Sequence, residues 1–238
     1  MQRLAVVTAT AIVAISALAL THPLYSASPA PPATQSSIPP GMEVATFAGG
    51  CFWSMEYAFD KAPGVKQTVS GFMGGTTPNP TYAQVSHGNT GHAESVQVTF
   101  DPKVISYPQL VDYYWHNVDL LDGGGQFCDR GDEYRPVIFV GTPEQRRAAE
   151  QSKAELDASH RFSTPIAVTI ADASPFTAAD DSHQNFHNTN TAHYKRYRAG
   201  CGHDRRLKEP TRRAMPSRTR RRTSCGSSPN CSLACSPS

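Results

Sequence analysis

Cys51, in the stretch Ala48-Gly49-Gly50-Cys51-Phe52-Trp53, is the residue of this chain best placed to do chemistry. An apolar strand pattern, Val44-Ala45-Thr46-Phe47-Ala48, runs into it. After it Phe52, Met55, Phe59 and Ala62 recur at helical spacing, until Pro63-Gly64 ends the pattern. A cysteine at such a strand-to-helix turn meets unpaired amide N–H groups and the positive end of the helix dipole, both of which favour thiolate over thiol. The alternative is a small inert core residue, as free cysteines often are. The Gly-Gly turn and the helix start favour the nucleophile.

Glu94 opens a second alternating stretch, Glu94-Ser95-Val96-Gln97-Val98-Thr99-Phe100. On a strand it shares its face with Val96, Val98 and Phe100. A carboxyl group on that apolar face is desolvated, keeps its proton and can serve as a general acid. A strand-end carboxylate turned to water is the plainer alternative, and spacing alone does not separate the two. The loop from Gln126 to Arg135 places Cys128, Asp129 and Tyr134 within a few residues, and Tyr82 follows another Gly/Pro-rich loop. Phenols can hydrogen-bond a developing oxyanion, although each tyrosine alone would be an ordinary half-buried packing residue. His183 and His187 have the i, i+4 spacing of a zinc pair. However, Gln184 stands where a hydrolytic glutamate is needed, and Cys225, Cys231 and Cys235 lack Cys-x-x-Cys spacing. Loop histidines and no metal are expected.

The elements around these residues read as a mixture of strands and helices without strict alternation. Gly64 to Phe72 alternates as a strand, and Tyr82 starts a short helical turn. Ser106 and Pro108 cap a helix with Leu110, Val111, Tyr114, Trp115 and Val118 on one face. Val137 to Val140 is a buried strand, Thr142 to Gln145 resembles a capping box for a helix to about His160, and Ile166 to Ile170 is the last core strand. Beyond it a polar, loop-like run is expected, with a short helical segment around Tyr194. The fold class is α+β, a two-layer sandwich of a mixed sheet with flanking helices and an extended C-terminal coil.

The ends differ from this core. Residues 1–25 carry one early charge, Arg3, then an apolar run to Leu20, and read as a signal peptide with Ala17-Leu18-Ala19 as a cleavage site, or as an uncleaved N-terminal anchor. Residues 26–42 form a Pro/Ala/Ser-rich linker, 43–208 the catalytic domain and 209–238 a basic, Ser/Cys-rich disordered tail. The chain is expected in the periplasm or held to the outer side of the inner membrane. Its net charge of +2 rests on the arginines of the tail. No aromatic residue lies between them to stack on bases, so no specific nucleic-acid partner is expected. Of the six cysteines, Cys51, Cys128 and Cys201 are scattered and three crowd the tail. That is too few in the core for a disulfide framework, and a redox-active set fits better.

Gly50-Cys51-Phe52-Trp53, Gly91-His92-Ala93-Glu94, Asp129-Arg130-Gly131 with Tyr134-Arg135, and His183-Gln184 resemble, in order and interval, the signatures of the A-type peptide methionine sulfoxide reductase family. The resemblance covers about Ala45 to Leu207. It departs from the family at Ser54, where many members have Gly or Cys, and at Ser182, where Tyr is usual. After Glu209 nothing matches, as an out-of-frame C-terminus would explain. The resemblance implies a ferredoxin-like core and a monomer that reduces the S epimer of methionine sulfoxide, free or in oxidised proteins and peptides. Cys51 would attack the sulfur and Glu94 would protonate the departing oxygen. Tyr82 and Tyr134 would bond that oxygen, Phe52 and Trp53 would receive the methyl group, Asp129 would hold the substrate main chain, and His183 would line the site. Cys201, on a loop made mobile by Gly200 and Gly202, matches the resolving cysteine; Cys128 is expected to be a local packing thiol. No cofactor is implied, only reduced thioredoxin or a similar thiol donor. A thioredoxin-like oxidoreductase using Cys51-Phe52-Trp53-Ser54 is the alternative, but it lacks a convincing later Pro loop and leaves Glu94 idle. A binding module using the basic tail is more distant.

Overall fold

The structure, a computed structural model, describes residues 38–162 and 164–208. The signal or anchor, most of the linker and the tail with its three cysteines lie outside the described residues. In chain order the elements are β1 (Glu43–Ala48), α1 (Phe52–Phe59), β2 (Val65–Met73), α2 (Tyr82–Ser86), β3 (Ala93–Phe100), α3 (Tyr107–Trp115), β4 (Gly125–Gln126), β5 (Asp129–Arg130), a 3-10 turn (Asp132–Tyr134), β6 (Val137–Val140), α4 (Pro143–Ala158), β7 (Thr169–Asp172), β8 (Thr177–Ala178), α5 (Phe186–Thr189), α6 (Thr191–Gly200) and α7 (His203–Lys208).

The main sheet runs β7-β6-β1-β3-β2-β8. Its centre, β6-β1-β3-β2, is antiparallel at every neighbour, while β7 joins β6 in parallel, so the sheet is mixed. With α1 and α3 as crossovers these four strands form the split βαβ pair of a ferredoxin-like core. The alternation in β3 works as the sequence implies: Val96, Val98 and Phe100 are fully buried, Gln97 and Thr99 only partly. The large core lies between the sheet and the helices, where Phe47 stacks on Phe59 and Tyr114 at ring separations of 4.8 and 5.2 Å. Burying Phe47, Phe59 and Leu110 contributes about 1.5–3 kcal/mol each. A smaller cluster of Ala48, Met73, Ala93, Val137 and Phe139 fills the other face.

Three local readings change. Thr142 caps α4 by accepting from the Gln145 N–H, but Gln145 does not reach back to close the box. Its side chain bonds Gly141 N–H and Val44 C=O instead, tying α4 to β1. The strand expected from Ile166 begins at Thr169, because Ile166 and Val168 are buried as core fillers in the approach to it, and it is not the last, since β8 follows. The C-terminal part of the core is not an extended coil: residues 186–208 carry three helices. Tyr194 and Tyr197 turn inward from α6 and are buried, which gives this polar stretch the apolar anchor a helix needs. Cys201 therefore stands at the C-cap of α6, not on a free loop.

Candidate active site

The strand β1 ends at Ala48 opposite Ser95 of β3, so Glu94, one residue back along β3, lies across from the Gly49–Cys51 turn. Gly50 has φ +84°, and a side chain there would meet the Gln126 Cβ at 2.6 Å. Gln126, fully buried, bonds the Asp119 N–H and the carbonyls of Asp119 and Asp122, fixing the floor on which the turn rests. Cys51 is then the N-cap of α1, completely buried.

Two carboxyl groups take the first amides of this helix. The Phe52 N–H donates to Glu94 Oε2 at 3.0 Å. The Cys51 N–H donates to Asp129, whose other strong partner is the Tyr197 hydroxyl, donating to Oδ2 at 2.5 Å. Glu94 is 1% exposed, and its Oε1 has no hydrogen-bond partner among the described residues. Burial, with Asp129 and Glu133 nearby, holds its carboxyl well above the usual carboxylate range against the opposing Phe52 N–H. Burial thus favours the protonated acid, and an exposure of 1% removes the solvated-carboxylate reading. Burial also pushes Asp129 up to about 6, offset in part by the Tyr197 and Cys51 donors. Tyr134, buried beside Glu94, Tyr82 and Asp129, is held in its phenol form by desolvation first and by these neighbours second.

Aromatic rings close the site. Phe52 lies 5.2 Å from the His183 ring and 5.9 Å from Phe72, and Tyr82 lies tilted against His183 at 4.1 Å. Burial lowers the His183 pKa and favours neutral imidazole. Trp53 is stacked on Phe186 at 3.6 Å and is edge-on to Tyr197, so it is sandwiched under α5 and α6. Cys51, Phe52, Trp53, Glu94, Asp129, Tyr134 and His183 are all buried; Tyr82 is half-buried. His187 points elsewhere, to Asp60 at 3.3 Å, so the i, i+4 histidines do not converge on one point.

Cys51, Cys128 and Cys201 are all disulfide cysteines here, and Cys128 is bonded to Cys201 with their Cα atoms 4.9 Å apart. The expectation of a local packing thiol at Cys128 is therefore wrong: it is exposed on the turn between β4 and β5, where there is no core to pack. Sequence reasoning also missed Tyr197, Gln126 and Phe186. Tyr194, Tyr197 and Cys201 at i, i+3 and i+7 were the signal for Tyr197, a helical stripe in an otherwise polar run. Gln184, noted only as part of a motif, bonds both the N–H and C=O of Ser70 and so fixes His183 beside β2.

A buried cysteine at a helix start, a buried carboxyl group beside it and an aromatic cage define a thiol-dependent reductase on a ferredoxin-like α+β core. The comparisons with known proteins give the family. The model of the family described as peptide methionine sulfoxide reductase matches residues 43–215. The peptide methionine sulfoxide reductase MsrA of Listeria innocua is 53% identical over 161 residues, covering 68% of this chain and 91% of that protein. That of Bacillus pumilus is 49% identical over 160 residues, covering 67% and 90%. Among solved structures, methionine sulfoxide reductase A of Corynebacterium diphtheriae is similar with a TM-score of 0.57 at 32% identity, over 64% of this chain and 76% of that one. Mxr1 of Saccharomyces cerevisiae in reduced form gives 0.60 at 27% identity, over 64% and 88%. The chain belongs to the peptide methionine sulfoxide reductase family, and it reduces methionine sulfoxide by thiol chemistry.

Proposed function

We propose that the chain reduces the S epimer of methionine sulfoxide, free or within oxidised proteins and peptides, through a sulfenic acid on Cys51. The observation that carries this reading is Glu94: one carboxyl oxygen is anchored on the Phe52 N–H and the other is unpartnered, beside the cysteine. A protonated carboxyl with a free oxygen suits a substrate that arrives with a basic S=O oxygen and must lose it. The reduced Cys51 thiolate attacks the sulfur as Glu94 gives its proton to the oxygen. Tyr134 and Tyr82 stand beside Glu94 as phenol donors to the same oxygen. Phe52 and Trp53 receive the methyl group, a soft sulfur–aromatic contact. The hydroxyl then passes from the substrate sulfur to Cys51 Sγ as the new S–S bond breaks, its electron pair goes to the departing methionine, and Cys51 is left as sulfenic acid, which condenses with the Cys201 thiol to a disulfide and water. Asp129, taking the Cys51 N–H, is placed to hold the substrate main chain, with His183 at the wall.

A thioredoxin-like dithiol returns the enzyme to its reduced state, with no cofactor, and the chain acts as a monomer. The apolar N-terminal run and the Pro-rich linker support an exported enzyme, released into the periplasm or anchored to the outer side of the inner membrane; fractionation of cells expressing the full chain tests this. The chemistry is tested with purified, reduced protein and each sulfoxide epimer in turn. Methionine should form from the S epimer only. Cys51→Ser should abolish it, and Cys201→Ser should allow one turnover without thioredoxin-dependent cycling. Full cycling in Cys201→Ser would remove Cys201 from this role, and equal rates on both epimers would overturn the stereochemical assignment.

A further inference from the structure

In residues 183–186 two polar anchors lie between two rings that cover the pocket. The His183 ring lies 5.2 Å from Phe52 and 5.8 Å from Trp53, and Phe186 stacks on Trp53 at 3.6 Å. Between them, Gln184 bonds the Ser70 N–H and C=O and the Ala179 C=O, which ties the segment to β2. The Asn185 N–H donates to Glu56 Oε1 at 3.0 Å, which ties it to α1. Asn185 has φ +53° at the N-cap of α5, in the left-handed region that asparagine tolerates better than most residues. With only four residues, α5 has too few hydrogen bonds of its own to stand alone, so its place depends on what it docks against. Glu56 stands on α1 three residues after Trp53 and four after Phe52, on the same face as both rings. It is 2% exposed, and the Ser70 hydroxyl and the Phe186 N–H face the same carboxyl group. Burying a carboxyl group is costly, and no step of the reaction uses this one.

We propose that Glu56 is a positioning residue for the methyl pocket: by holding the Asn185 N–H it sets Phe186 on Trp53 and His183 against Phe52, and so governs how tightly the sulfoxide is captured. The proposal rests on the reading of Phe52 and Trp53 as that pocket. Glu56 does not act on the reacting atoms. The first amides of α1 are taken by Asp129 and Glu94, so the nucleophile and the acid keep their places without it. An apolar residue at this position would leave the Asn185 N–H without its partner on α1. The segment would then be held by Gln184 alone, and both rings would lose their fixed height over the pocket. Capture should weaken while the chemical step keeps its rate.

Single turnovers of the reduced full-length chain over a range of S sulfoxide concentrations give a limiting rate and a half-saturating concentration. Glu56→Ala should raise the half-saturating concentration about tenfold, the scale of one lost, partly buried hydrogen bond, and leave the limiting rate within about threefold. Glu56→Asp, whose carboxyl group falls one methylene short of Asn185, should move the same quantity in the same direction. Glu56→Gln keeps an oxygen for the Asn185 N–H and should restore the wild-type value. Trp53 gives a second readout. In a Trp115→Phe background it is the remaining tryptophan of the chain, and its emission should shift to the red in Glu56→Ala and Glu56→Asp but not in Glu56→Gln. Should Glu56→Ala lack a native circular dichroism spectrum, Glu56→Asp decides by the same readouts. A lower urea midpoint with unchanged half-saturation and unchanged Trp53 emission would make Glu56 a stabilising residue only and overturn the proposal. So would a fall in the limiting rate alone, or a Glu56→Gln protein that behaves as Glu56→Ala. No methionine from the wild-type chain would overturn the reaction itself and the pocket assignment with it, a result distinct from all of these.

Discussion

Replacing Glu94 by glutamine separates its two jobs. The amide oxygen of glutamine can still accept the Phe52 N–H, now held at 3.0 Å by Oε2, so α1 should keep its anchor. The amide nitrogen then lies where the unpartnered Oε1 is, and it can donate a hydrogen bond but not a proton. General acids contribute about 10²–10⁴-fold, and a retained hydrogen-bond donor places the loss at the low end. A drop of about a hundredfold is expected, or about 2.7 kcal/mol of barrier at 1.36 kcal/mol per decade. The pH profile gives an independent reading. Burial raises the Glu94 pKa, which extends the protonated acid to higher pH, and the wild-type rate should fall on the alkaline side as Glu94 ionises. Glutamine has no proton to lose, and that limb should vanish. Rapid-quench single turnovers of the pre-reduced enzyme, with methionine quantified by chromatography from pH 6 to 10, measure both. An unchanged rate constant, or an alkaline limb retained in Glu94→Gln, would refute the assignment of Glu94 as the acid.

Further perturbations test how the site is held. Glu56 is buried with its pKa raised to about 7, chiefly by desolvation, so the folded state prefers it neutral. Its stabilising contribution is complete below the unfolded value of 4.5 and is lost as pH rises through about 7. Glu56→Gln should flatten this loss, on the order of 3 kcal/mol, in urea unfolding curves from pH 5 to 8; a slope unchanged by the substitution would exclude Glu56 as its source. Gly50→Ala combines φ +84° with a 2.6 Å approach to Gln126 and should cost about 2–4 kcal/mol. Gly41→Ala shares a positive φ of +80° but meets nothing within 4 Å, so equal losses at the two sites would argue against the close approach. Tyr197→Phe removes a donor that holds the Asp129 pKa down, so an acid limb of kcat/KM near pH 6 should move upward. A limb that stays in place would show that Asp129 ionisation does not govern substrate capture.

The parts legible in the sequence are those where side-chain period and burial agree. The alternation that puts Glu94 with Val96, Val98 and Phe100 survives folding because β3 is a central strand with that face in the core. The Gly-Gly-Cys turn is legible because positive φ at Gly50 and the helix start are both local. Helices α5 to α7 were hidden because most of their residues are polar and their stability comes from a few buried rings, above all Phe186 on Trp53. Composition describes the solvent face of such a segment and conceals its contact face.

Cys128 shows why the remainder was out of reach. Its neighbour Asp129 marks it as near the site, and its place on an exposed turn could have argued against a packing role. Its bond to Cys201 depends on α6 crossing back over the site, with Tyr197 docked on Asp129 and α7 fixed by the bidentate Arg206–Asp119 pair. None of these contacts leaves a periodic trace in either segment. The same docking that brings Cys201 to Cys128 also lays α5 and α6 over Trp53. The cover over Trp53 and the Cys128–Cys201 disulfide therefore belong to one arrangement of the C-terminal helices.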